Sequence, residues 1–268
     1  LSRLPADIAN CTSLQQINLS NNCLCDIAPE IGLLRNLQEI DLSCNSISVV
    51  PQEFGSCGNV QLCNLSRNQI AGTLPPTIGL LTNLTELDLS FNRIESIPNN
   101  LGGLHLLNSL DLSCNALRST ELPDTFSALQ RLLNLDLSQN SLTSIPTHLL
   151  QLGALRNLQL GANQIRLLPT SISSLTFLSR LGLENNMLEG LPPQFAVLFE
   201  SISDITLHNN PWTQLPPKWG TATISANQKQ RASGYSVSEV KLFTCSMNMI
   251  YDAAMEVWDR VGAQCYTG

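Results

Sequence analysis

The chain has 268 residues, 43% of them hydrophobic but only 13% charged, with a formal net charge of −7 and a pI near 4.9. That acidity leaves no electrostatic footprint for nucleic acid, so a nucleic-acid partner is excluded. No run of roughly 18 apolar residues occurs, so no segment is expected to insert into a membrane.

The opening residues Leu1-Ser-Arg-Leu4-Pro5 match the half-unit Ile94-Glu-Ser-Ile97-Pro98 found further along. The chain is therefore expected to start inside a repeat, with an unknown number of repeats before Leu1. From there nine asparagines recur: Asn22, Asn45, Asn68, Asn92, Asn115, Asn140, Asn163, Asn186 and Asn210. Their steps are 23, 23, 24, 23, 25, 23, 23 and 24 residues. A unit this short cannot bury its own apolar face and must stack on copies of itself, which makes a solenoid.

Within each unit, a segment such as Glu86-Leu87-Asp88-Leu89 alternates at period 2 and predicts a short strand, leucines inward. Successive units then pair as parallel strands about 4.8 Å apart. A buried asparagine has to satisfy its amide, and backbone groups of the adjoining turn are the available partners. The return half carries Pro51, Pro75, Pro98, Pro123, Pro146, Pro169, Pro192 and Pro216, with an apolar residue three positions on. That pattern predicts short helical or 3-10 turns on the convex side, with proline at a turn or at its first position. Extra residues after Ile70 (Ala-Gly-Thr-Leu) and after Leu117 (Arg-Ser-Thr-Glu-Leu) are expected to bulge as longer loops.

These motifs resemble the leucine-rich repeat superfamily, in its 23-residue intracellular, Ras-group-like type. Asn83-Leu-Thr-Glu-Leu-Asp-Leu-Ser-Phe-Asn-Arg-Ile-Glu-Ser-Ile-Pro98 lies close to the family consensus. The resemblance covers residues 1–219, a partial repeat followed by nine more. It implies an α/β fold: a right-handed horseshoe with a concave parallel β-sheet, convex short helices or 3-10 turns, and a protein-binding role. Beyond residue 219 the repeat stops. Thr221 to Gly234 reads as a loop or linker, and Ser236-Val-Ser-Glu239 is a capping-box signature. Apolar residues from Val240 to Val261 fall at helical spacing, so residues 220–268 are read as a linker and a helix that caps the solenoid or docks a partner.

Nine cysteines do not make a disulfide framework. Cys11 and Cys57 occupy a column held elsewhere by leucine, and Cys63 replaces a strand leucine, so all three are expected to act as small hydrophobes. Cys11 and Cys57 sit two repeats apart, about 10 Å, beyond the roughly 7 Å limit on Cα separation for a bridge. Cys23 and Cys25 lack a second ligand pair, so no metal or cofactor is implied. The cysteine-bearing cap of extracellular relatives is absent after Asn210-Pro211-Trp212. A reducing compartment, the cytoplasm, follows from that usage. Sequons at Asn10, Asn18, Asn64 and Asn83 pull the other way, but Asn-Leu-Ser arises whenever Asn replaces Asp in the consensus strand.

Three outward columns define the concave face. The first includes Glu39 and Glu86, the central one Asp41, Asp88, Asp111 and Asp136, and the third a run of serines from Ser20 to Ser138. Neighbouring aspartates repel by roughly 1 kcal/mol in water and by more if partly desolvated. A basic side chain along the column relieves that repulsion and gains charge-assisted hydrogen bonds. The candidate binding residues are therefore Glu39, Asp41, Glu86, Asp88, Asp111 and Asp136, with Phe91 beside them as a packing anchor. The bland alternative is that Leu-Asp-Leu-Ser is the default strand of such repeats and the aspartates are generic surface. Arg180 beside Asp204, and Glu184 beside His208, are further neighbours across the last two repeats.

No phosphate-binding glycine loop, Cys–His dyad or G-x-S-x-G is present, so the chain is not expected to be an enzyme. The reading is a non-enzymatic scaffold that binds a protein with a basic or polar surface, in signalling or as a subunit of a large assembly. One alternative is a fragment of a cell-surface receptor ectodomain, whose repeats Gly72-Thr-Leu-Pro-Pro-Thr-Ile-Gly79 resembles. Another is the substrate-selecting region of an enzyme whose catalytic part lies outside this chain.

Overall fold

The computed structural model describes residues 2–213 and the strand at residues 223–225. Nine three-residue strands lie side by side in one parallel sheet: Gln16–Asn18 (β1), Glu39–Asp41 (β2), Leu62–Asn64 (β3), Glu86–Asp88 (β5), Ser109–Asp111 (β7), Asn134–Asp136 (β8), Asn157–Gln159 (β9), Arg180–Gly182 (β10) and Asp204–Thr206 (β11). The central residue of each strand points inward, and from Ile40 to Ile205 that residue is at most 3% exposed. The register is unbroken: Asp88 pairs with Asp111 and Asp111 with Asp136. Chain order and spatial order therefore coincide, as stacked repeats require.

On the opposite side each repeat makes a 3-10 turn, such as Gln52–Ser56, Pro76–Leu80 and Asn99–Gly103. The repeat prolines stand one residue ahead of the turn, in extended backbone (Pro98, φ −70°, ψ 145°), rather than opening it. Proline holds that φ without cost, and its missing N–H removes nothing from the turn. The third apolar residue beyond re-enters the core; Phe54, Ile78, Leu101 and Phe126 are 0–1% exposed.

From Asn45 onward each asparagine of the ladder ties three backbone carbonyls to a backbone N–H. Asn92 Nδ2 donates to Leu65 O (3.0 Å), Leu89 O (3.0 Å) and Ser90 O (3.2 Å), and Asn92 Oδ1 accepts the Ile70 N–H (3.0 Å). The same set recurs at Asn68, Asn140 and Asn163. The residue just before each asparagine is left-handed in every repeat, from Asn21 (φ 57°) to Asn209 (φ 56°).

Four expectations are corrected. Ala71–Thr73 (β4) is a strand rather than a loop, pairing in parallel with Arg93–Ser96 (β6) in a second, two-stranded sheet. Gly72, at φ +70°, supplies a backbone state that other residues resist. Thr223–Ser225 (β12), inside the segment read as linker, pairs antiparallel with Asp204–Thr206. An unpaired edge strand offers free N–H and C=O groups, and this strand satisfies them at the C-terminal edge. Cys11 is exposed rather than a core residue, since no turn precedes Ala6–Asn10 among the described residues to cover it. Cys57 and Cys63 are buried as expected, and burial lifts the Cys57 thiol to about 11 and the Cys63 thiol still higher. The fourth, in the serine column, belongs to the site below. The insertion after Leu117 forms a short 3-10 turn, Ser119–Glu121, consistent with a longer connection. Pro216, Trp219 and the expected capping or docking helix lie outside the described residues.

Candidate functional site: the concave face

Pairing in register brings six predicted acids together. Glu39, Asp41, Glu86, Asp88 and Asp111 line one open trough of about 760 Å³ across the first five strands, and Asp136 continues it one strand further. Leu62, 37% exposed, interrupts the first column between Glu39 and Glu86.

The aspartates also have local work. Oδ1 of Asp41, Asp88, Asp111 and Asp136 accepts the backbone N–H two residues on, from Ser43, Ser90, Ser113 and Ser138, at 2.8–2.9 Å. Asp88 also accepts the Ser90 hydroxyl at 2.7 Å. This is the short Asx turn that lets the chain leave the strand. It draws the serines inward, so Ser43, Ser66, Ser90 and Ser113 are buried instead of forming an outward column. Asn18 and Asn64 hold the same position and make the same bonds: Asn64 Oδ1 accepts the Ser66 N–H (3.0 Å) and hydroxyl (2.7 Å). An amide therefore serves the turn as well as a carboxylate does.

Charge accumulates at Asp111. Desolvation raises its carboxyl above the ordinary carboxylate range, and the negative charges of Asp136 and Asp88 add to this, against the lowering effect of its Ser113 hydrogen bonds. The anion of Asp111 is thereby disfavoured.

Phe91 sits on the lip of the face, in the left-handed column (φ 53°), 43% exposed. The Arg67 guanidinium lies over its ring, 4.2 Å from the centroid. Other repeats place Asn, Cys, Arg, Gln or Ala at that position. A bulky side chain there is strained by about 1 kcal/mol or more. Sequence reading found Phe91 but not Arg67, because their contact depends on a backbone state that the residue types do not announce. A regular one-repeat offset between an Arg and an aromatic in the position before the ladder asparagine was the available signal.

The other neighbours behave differently. Arg180 pairs in register with Asp204, but the two form no ion pair among the described residues. The Glu184 carboxylate accepts the Thr206 hydroxyl instead of facing His208. Among the described residues no group of three or more His, Cys, Asp or Glu side chains could hold a metal ion. No helix among them is long and apolar enough to cross a membrane.

Comparison with known proteins agrees with this geometry. A family described as leucine rich repeat matches residues 12–70 and 107–165, and a second of the same description matches 83–104. No curated protein sequence matches the chain. A solved leucine-rich repeat protein of Leptospira interrogans is similar, with TM-score 0.76 and 31% identity over 87% of this chain and 60% of its own. The plant peptide hormone receptor RGFR1, solved in complex with RGF2, shares 30% identity at TM-score 0.65, over 78% of this chain and 38% of the receptor. The PEPR1–AtPEP1 structure gives 31% identity and TM-score 0.67, over 78% of this chain and 30% of that one. The chain thus spans less than two thirds of the length of each.

Proposed function

Because the chain belongs to the leucine-rich repeat family, we propose that it is a non-enzymatic scaffold that holds a basic or polar protein surface against its concave strands. The observation that carries this is the equivalence of Asn and Asp in the central column. Asn18 and Asn64 make the turn with Ser20 and Ser66 as well as the aspartates do with theirs. Local structure therefore does not require a carboxylate, yet Asp88, Asp111 and Asp136 are consecutive and mutually repulsive. With Oδ1 engaged in the turn, Oδ2 remains as the acceptor for a visiting ammonium or guanidinium. Five repeats cover about 20 Å along the sheet, enough for a share of the roughly 1,200–2,000 Å² that a stable protein interface buries.

Exchanging Asp88, Asp111 and Asp136 for Asn keeps the turns and removes the charge. Recovery of partners by affinity mass spectrometry should fall with the Asn variant and fall further with Lys at the same positions. Unchanged partners at unchanged affinity would sink the proposal.

Unpaired thiols, with the seven described cysteines all free, support a cytoplasmic address and a role in signalling or in a larger assembly. Proximity labelling in the native cell reports that address directly. The second reading, part of a receptor ectodomain, is favoured by the likeness to plant receptors solved with peptides. Mapping glycans at Asn18 and Asn64 separates the two, since glycans there belong to a secreted chain and would obstruct the strands.

A further inference from the structure

The acidic trough has a neighbour of opposite character. Arg67 and Phe91 occupy the lip on consecutive repeats, in the same left-handed column, with the guanidinium 4.2 Å from the ring centroid. Arg67 belongs to a chain with 21 acidic residues, yet no carboxylate lies within ion-pair distance of it among the described residues. Its guanidinium carbon lies over the ring, and its N–H groups make no hydrogen bond among the described residues, so they are available to donate. Phe91 is 43% exposed and its backbone is left-handed, φ 53°. Exposed aromatic side chains and arginine are the residue types enriched in protein interfaces.

We propose that the Arg67–Phe91 pair is an anchoring subsite for a segment of a partner protein that carries a carboxylate next to an apolar side chain. The carboxylate takes the free edge of Arg67, bidentate if it approaches in the guanidinium plane. The apolar side chain packs on the part of the Phe91 ring that Arg67 leaves bare. The inference rests on the concave-face reading and refines it: the partner segment is basic over the trough and acidic–apolar at the lip. Opposite charges at the two ends fix the direction in which the segment lies, since reversal would put like charges together.

The test pans a phage-displayed random dodecapeptide library on the immobilised full chain and measures the enriched peptides by fluorescence anisotropy. Phe91→Asn is the main variant, because Asn already stands at the equivalent left-handed positions Asn21, Asn185 and Asn209 and so preserves the fold. Arg67→Gln is the second variant, with melting temperature as the check on folding. Enriched peptides should share Asp or Glu beside an apolar residue and bind both variants at least about tenfold more weakly. Arg67→Glu should shift the preference at that position towards Lys or Arg. Peptides that bind Phe91→Asn and Arg67→Gln as tightly as the unaltered chain overturn the subsite. If those peptides lose affinity with Asp88→Asn and Asp111→Asn instead, the concave-face reading survives while the subsite falls. A library with no enriched peptide counts against both.

Discussion

The side chain of Asn92 donates a hydrogen bond to the backbone carbonyl of Leu65, 27 residues earlier, at 3.0 Å. That bond crosses from one repeat to the one before, and its counterparts do the same along the solenoid. The amide therefore acts as a rivet between neighbours, and its removal should be felt by both.

Asn92→Ala leaves the Leu65, Leu89 and Ser90 carbonyls and the Ile70 N–H without their side-chain partner, in a site 9% exposed. One unsatisfied buried group costs about 1–3 kcal/mol, so a loss of at least about 3 kcal/mol is expected. Urea unfolding measures it directly. Asn92→Asp should be nearly as harmful, since a carboxylate can accept from Ile70 but repels three carbonyl oxygens.

The convex turns of the first half approach more closely than a side chain would permit. A Cβ on Gly79 would meet Asn100 O at 2.0 Å, and one on Gly55 would meet Thr77 O at 2.2 Å. Those atoms are backbone and cannot swing aside, so Gly79→Ala should cost about 1–3 kcal/mol by forcing the repeats apart. Gly153→Ala is the control, because a Cβ there meets nothing within 4 Å. Equal unfolding midpoints for the two variants would refute the contact.

Asp111 gives a pH signature with a definite sign. Its carboxyl is raised above the ordinary range by desolvation and by Asp136 and Asp88, so the fold disfavours its anion. The associated stability is complete below the unfolded value of roughly 3.9 and is lost as pH rises through the higher folded value. Asp111→Asn, which keeps an acceptor for Ser113, should therefore raise stability at pH 7 by up to about 1 kcal/mol, the scale of one such repulsion in water. The gain should vanish towards pH 3 in thermal melts. A gain that persists in acid would mean that packing rather than charge is responsible.

His148 gives the opposite sign. Its Nδ1 lies 3.0 Å from Asp124 Oδ1, which alone would raise its pKa, yet burial dominates and lowers it. The difference follows from exposure: the Asp124 side chain is 99% in solvent and well screened, whereas that of His148 is 12% exposed. The imidazole is held neutral, so its contribution is present above the unfolded value of roughly 6.5 and is lost as pH falls through the depressed folded value. Backbone amides of the turn Thr147–Gln151 should exchange faster, after correction for intrinsic rates, at pH 5 than at pH 7. His148→Gln should remove that acid sensitivity.

The solenoid was legible because its rule repeats. The asparagine period fixed which strand residues pair, and Asp88, Asp111 and Asp136 fall in register as the spacing required. Local exceptions were less legible. Ala71-Gly72-Thr73 looked like a loop because it breaks the count, but a neighbouring extended segment, Arg93–Ser96, was available to pair with it. Cys11 fits the core pattern and is exposed because pattern says nothing about whether a repeat has a neighbour on both sides. The serines of the outward column turned inward through bonds to the aspartates two residues before them, an effect of turn chemistry rather than of period. Arg67 was overlooked because its role lies in a contact with the next repeat, not in its own.

The glycines at the convex turns also govern shape. Strand spacing on the inner sheet is constant, so the bend of the solenoid follows from how far apart the outer turns stand. Gly32, Gly55, Gly79 and Gly102 let them draw together through the first half, at a position that the buried Leu150 takes in a later turn. Where the outer turns approach closely the arc is held flat, and the acidic stretch shares those repeats, which suits a visitor lying straight along it.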